Sequence, residues 1–126
     1  MAGIFDSVNS LQSAMTYNRE RQGVLSGNLA NLDTPGYRPL DLAPMPTEGA
    51  GSLTVDAPGQ MQVGEAGGMP QTFDDGGSLV GADGNAVSLE RELAKIDANR
   101  VHYSTSADLV SRRMAMLKYA AGDGGQ

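Results

Sequence analysis

Residues 27–38 read Gly27-Asn28-Leu29-Ala30-Asn31-Leu32-Asp33-Thr34-Pro35-Gly36-Tyr37-Arg38. They end a helical pattern and turn the chain out of it. A residue that precedes proline is pushed from helical to extended geometry, so Thr34 cannot carry the helix on. Pro35-Gly36 then fits the two central positions of a type II turn, the second of which needs a positive φ. Asn28, Asn31 and Asp33 can bond the backbone groups that a helix end leaves free, and Tyr37 places an aromatic anchor directly behind the turn.

Upstream of this stretch, Ile4, Val8, Leu11, Met15, Asn18, Gln22, Leu25, Leu29 and Leu32 follow one another in alternating steps of four and three. That is a heptad seam on a single helix. Gly23 and Gly27 each weaken it by roughly 1 kcal/mol, so the helix needs a partner. The partner lies at the other end of the chain. From residue 87, Ser88 is suited to an N-cap, Glu90 and Glu92 to a first turn, and Arg112, Arg113 and Lys118 to last turns. A second seam follows: Leu89, Leu93, Ile96, Arg100, Tyr103, Ala107, Val110, Met114 and Leu117. Residues 120–126 read as a glycine-rich fray.

Antiparallel pairing sets Leu32 against Leu89, Leu29 against Leu93, Leu25 against Ile96, Met15 against Ala107, Leu11 against Val110, Val8 against Met114 and Ile4 against Leu117. The polar positions then coincide, Gln22 with Arg100 and Asn18 with Tyr103, in a layer able to fix the register. The predicted fold is mostly α, a long coiled-coil-like antiparallel hairpin of the two terminal helices with a Gly/Pro-rich insert between them. Its parts are residues 1–38, 39–86 and 87–126.

Charge separates the same three parts. The whole chain carries −6; residues 1–38 are balanced, residues 87–126 carry +1, and residues 39–86 hold seven acids and no base. Such an insert does not bind nucleic acid or an anionic membrane. With ten glycines and five prolines it offers little core. Two readings stay open for it: an irregular acidic loop, or short strands at residues 53–55, 61–63 and 78–80. Asp74, Asp75, Asp83 and Asn85 read as solvated turn residues, because the spacing of a calcium loop is missing.

Other classes of function are disfavoured. There is no cysteine, hence no disulfide or thiolate metal site. His102 shares a helix with Ser104, Ser106 and Asp108, at offsets that do not converge on a nucleophile. Asp74 and Asp75 lack the apolar surroundings that would raise a carboxyl pKa. Met15, Met114 and Met116 read as packing residues. The expectation is a non-enzyme without cofactor, metal or small-molecule substrate. No run reaches the length of a membrane span, and the N-terminus lacks the pattern of a cleaved secretory signal.

The run from Ala30 to Arg38, with Ser26-Gly27-Asn28-Leu29 ahead of it, resembles the N-terminal signature of the bacterial flagellar rod and hook proteins. Asp83-Gly84-Asn85-Ala86-Val87 followed by Glu92 is similar to the segment that leads into the C-terminal helix of proximal rod proteins. The chain departs from that pattern where Ser104-Thr105-Ser106 follows Tyr103 and where the tail turns to glycine. The resemblance implies a structural subunit of the basal-body rod, assembling helically into the shaft that carries torque across the periplasm. It implies that Asn28, Ala30, Asn31, Thr34, Pro35, Gly36 and Tyr37 form an assembly signature, and that Phe5, Val24, Val101 and Leu109 meet neighbouring subunits. The implied partners are further copies of the chain, neighbouring rod proteins, the inner-membrane ring or its adaptor, and the flagellar type III apparatus that exports rod proteins without a cleaved signal. Competing readings are a neighbouring rod protein of the same family, a cytoplasmic coiled-coil adaptor, and a binding module built on the acidic insert.

Overall fold

The computed structural model of the protein describes residues 3–44, 71–76 and 79–122. The elements run α1 (Ile4–Ala30), β1 (Leu40–Leu42), β2 (Thr72–Asp74) and α2 (Leu89–Gly122). The two helices, 27 and 34 residues long, pack against each other. Glu92 meets Asn28 while Asn99 meets Asn18 and Gln22, so the helices run antiparallel.

Helix α1 starts at Gly3, whose N–H donates to Asp6 Oδ2 at 2.7 Å, an acidic first-turn residue answering a free amide. Helix α2 starts where the sequence placed it: the Ser88 carbonyl accepts from the Glu92 N–H at 2.9 Å. Its end differs from expectation. The helix continues through Ala120 and Ala121 to Gly122 instead of fraying at 120, as the high helix propensity of alanine allows. Residues 123–126 lie outside the described part.

Among the described residues of the insert, two strands form at its base, where the sequence suggested none. β1 and β2 pair antiparallel, Leu40 with Asp74, Asp41 with Phe73 and Leu42 with Thr72. Bonds from the Ala43 N–H to the Gln71 carbonyl and from the Asp75 N–H to the Pro39 carbonyl extend the ladder at both ends. The insert therefore leaves and returns to the hairpin on two adjacent legs. Leu79 and Val80 are exposed and belong to no strand, and residues 53–55, 61–63 and 78 lie outside the described part. Hydrophobic triplets in the middle of the insert drew the sequence reading; pairing at its base rests on contacts with the helices, which alternation alone does not encode.

On α1, Val8, Asn18 and Leu25 are buried and Leu11, Met15, Gln22, Leu29 and Leu32 partly covered, with Asn28, outside the expected seam, fully buried. The α2 seam needs correction. Leu89 and Leu93 are 43% and 45% exposed, and Arg100, Tyr103 and Met114 also lie on the open side. Buried instead are Glu92 at 1% and Asn99 at 2%, with Ile96, Val110 and Leu117 partly covered. One residue is about 100° of helix rotation. The apolar stripe suggested one face, but the amides of α1 select the face next to it. The polar layer accordingly joins Asn99 to the Asn18 main-chain carbonyl and to Gln22 Oε1; its α2 member is not Arg100.

Candidate functional site

The signature turn has the geometry its residues require. The Tyr37 N–H donates to the Thr34 carbonyl at 3.3 Å, with Pro35 and Gly36 between them and Gly36 at φ 71°. Asn31 closes the helix, its Nδ2 donating to the Gly27 carbonyl and its Oδ1 accepting from Thr34 Oγ. Ala30, Thr34, Pro35 and Gly36 face outward. Asn28 and Tyr37 turn inward, and the two parts of the signature do different work.

Asn28 is fully buried. Its Nδ2 donates to the Leu40 carbonyl at 2.7 Å and to Glu92 Oε2 at 2.9 Å. Its Oδ1 accepts from the Leu40 N–H at 2.9 Å and from the Tyr37 hydroxyl at 3.3 Å. An amide offers two donors and two lone pairs, and all four are engaged. One side chain thus joins α1, the turn, β1 and α2.

A second asparagine performs the matching task from the other side. Asn85 is buried, and its Nδ2 lies within 2.7–3.0 Å of the carbonyls of Asn31, Leu32 and Thr34, capping the end of α1 from 51 to 54 residues away. Its Oδ1 accepts from the Val87 N–H, and its own N–H donates to Asp83 Oδ1. Backbone bonds from Gly36 N–H to the Asp83 carbonyl and from Ala86 N–H to the Tyr37 carbonyl complete the joint. The two turns lie in contact, a Cβ on Gly84 reaching 3.4 Å from Gly36 Cα. Glycine is called for at both positions by their positive φ, 71° at Gly36 and 80° at Gly84.

Charge surrounds this joint. Arg21 grips Asp41 with two bonds of 2.8 Å. Arg91 and Lys95 both bind Asp75, and Lys95 Nζ also lies 3.1 Å from Glu92 Oε1 and 3.8 Å from Asp41 Oδ2. For Asp41, burial alone would raise the carboxyl pKa. The Arg21 and Leu42 hydrogen bonds, with the charges of Arg21 and Lys95, outweigh it and hold the group below its usual range. The Asp41 bond raises Arg21 further, against burial. Burial pushes the Tyr17 hydroxyl up, and that hydroxyl donates to the Leu42 carbonyl at 3.1 Å. Farther along α2, the Ser104 and Ser106 hydroxyls donate to the carbonyls of Val101 and His102 on their own helix.

The two quoted motifs therefore meet. Asn28, Asn31, Thr34, Gly36 and Tyr37 of the first contact Asp83, Asn85, Ala86 and Glu92 of the second, directly or through the backbone. Asn85 and Glu92 were on view in the second motif, but their partners were not. Asp75, read as a solvated acid, is in fact partly buried between two cations. The Arg21–Asp41 and Lys95–Asp75 pairs, each 20 residues apart, left no mark in local spacing.

Comparison with known proteins returns to the first of these segments. The family model described as flagella basal body rod protein matches residues 9–38. A flagellar basal body rod protein FlgB from Aeromonas hydrophila is 29% identical over 141 aligned positions, covering 98% of this chain and 99% of the relative. FlgB from Aquifex aeolicus is 33% identical, covering 81% and 82%, and FlgB from Escherichia coli K12 is 30% identical, covering 79% and 81%.

Proposed function

The chain belongs to the flagellar basal body rod proteins of the FlgB kind, and from that premise we propose that it builds the proximal part of the rod by stacking helically on copies of itself and on neighbouring rod proteins. What such a subunit must supply is stiffness and contact surface, because a shaft that transmits torque does no chemistry. The observation that carries the reading is the similarity to FlgB proteins over nearly the whole chain.

Two features of the molecule support it. The joint of the two motifs stiffens one end of the hairpin. Beside the buried seam, Leu89, Leu93, Leu109, Met114 and Met116 of α2 and Phe5 of α1 stay exposed. Apolar side chains left open along a rigid hairpin suit heterologous contacts, which extend into a helical array when the rotation does not close. Of the positions expected to meet neighbours, Phe5, Val101 and Leu109 are exposed and Val24 is partly covered. Passage through the flagellar type III apparatus and contact with the inner-membrane ring or its adaptor belong to the same reading. No described helix is long and apolar enough to cross a membrane.

The test is fractionation. In motile cells whose own copy is replaced by a tagged chain, purified hook–basal bodies should retain the tag and swimming should persist. A chain found wholly in the soluble cytoplasmic fraction of such cells would overturn the reading in favour of a coiled-coil adaptor.

A further inference from the structure

The insert is gripped by charge at its base, and one lysine touches every part of the grip. Asp41 of β1 pairs with Arg21 of α1, while Asp75, directly after β2, pairs with Arg91 and Lys95 of α2. Lys95 also reaches Asp41 Oδ2 at 3.8 Å and Glu92 Oε1 at 3.1 Å, with its side chain 15% exposed. One ammonium thus faces three carboxylates, one on each leg of the insert and one on its own helix. The other oxygen of Glu92 accepts from Asn28.

We propose that Lys95 is the positioning residue that fixes the direction in which the insert leaves the hairpin, and that a cation is needed there because Asn28 holds Glu92 inside the helix interface. A buried carboxylate needs a counter-charge. Asn28 gives Glu92 a hydrogen bond but no charge, and Lys95 supplies it. Without Lys95, Asp41 keeps Arg21 and Asp75 keeps Arg91, but Glu92 keeps an amide alone. Glu92 cannot move away, being held between the helices. The legs can, so repulsion is relieved by the insert tilting away from Glu92 about its remaining contacts with Arg21 and Arg91.

This account makes the defect electrostatic, which separates it from loss of packing. Glutamine in place of Glu92 would still accept from Asn28, and its amide NH₂ could donate toward the two aspartates. Lys95→Met should therefore release the insert, and Glu92→Gln in the same chain should restore it.

The chain has no cysteine, so spin labels at Thr72→Cys and Ala98→Cys, both exposed sites on β2 and α2, report the angle directly in the full-length protein. Double electron–electron resonance should give a narrow distance distribution with Lys95, a broad and longer one in Lys95→Met, and a narrow one again in Glu92→Gln/Lys95→Met. An unchanged distribution in Lys95→Met, a failure of Glu92→Gln to restore it, or a broad distribution in the parent chain overturns the proposal. If Lys95→Met loses helicity by circular dichroism, the double variant decides: recovery supports the electrostatic role, and persistent loss overturns it.

Discussion

Asn28 shows at the residue scale how a short polar side chain can organise a joint. Asn28→Ala leaves the Leu40 amide and carbonyl, the Tyr37 hydroxyl and Glu92 without that partner. At about 1–3 kcal/mol for each buried group left unsatisfied, and allowing for relaxation, the loss should be at least about 3 kcal/mol in thermal or denaturant unfolding of the chain. Gly36 is a different case, because its role is conformational. With φ at 71°, Gly36→Val should cost on the order of 1–3 kcal/mol and pull the turn away from the Asp83 carbonyl that its N–H binds. Unchanged rod incorporation and motility in cells carrying that variant would remove the special role of the turn. The Pro35-Gly36 turn was legible in the sequence, since both residues constrain their own backbone. The partners of Asn28 were not: a buried amide looks the same in a sequence whether it meets water, a carbonyl 12 residues on, or a glutamate 64 residues on.

At the scale of elements, periodicity found both helices, but on α2 it put Leu93 and Arg100 where their neighbours Glu92 and Asn99 are buried, while Ile96, Val110 and Leu117 of the expected stripe are partly covered. The reason lies in what each helix offers. On α1 the buried Leu25 and the polar anchor Asn28 lie one turn apart on the inward side. On α2 the anchors Glu92 and Asn99 lie beside the stripe of Leu89 and Leu93, and their hydrogen bonds, from Asn28 to Glu92 and from Asn99 to the Asn18 carbonyl and Gln22, hold the rotation. Two substitutions separate these faces. Leu25→Ala, at a side chain fully removed from solvent, should cost about 2–5 kcal/mol of stability. Leu93→Asp, at a side chain almost half exposed, should leave the hairpin's melting temperature nearly unchanged and instead lower the amount of chain recovered in basal bodies. A large loss of stability in Leu93→Asp would return Leu93 to the seam.

At the scale of the whole molecule, the insert is acidic and the hairpin supplies the cations, so the attachment of one to the other is titratable. Asp41 is the member whose ionisation can be followed with a definite sign. Its folded pKa lies below the unfolded value near 3.8, because the bonds from Arg21 and Leu42 and the charge of Lys95 outweigh its burial. A lowered carboxylate contributes stability above the unfolded pKa and loses it as the pH falls through the folded one. Asp41→Asn should therefore lower the melting temperature by a constant amount from neutral pH down to about 4. Below 3.8 the gap between the variant and the parent should close, because the parent then loses the same interaction by protonation. The direction of that closure distinguishes a charge-held base from a packed one, since a packing defect in Asp41→Asn would keep the two melting curves apart at every pH. Salt gives the complementary reading. Asp41 and Lys95 are mostly buried, so added electrolyte should weaken their contacts far less than the exposed Arg38–Asp74 pair at the outer side of the ladder. A base that survives salt but yields to acid would place the connection between insert and hairpin in the buried half of the charge network, where Arg21 and Lys95 reach it from different helices.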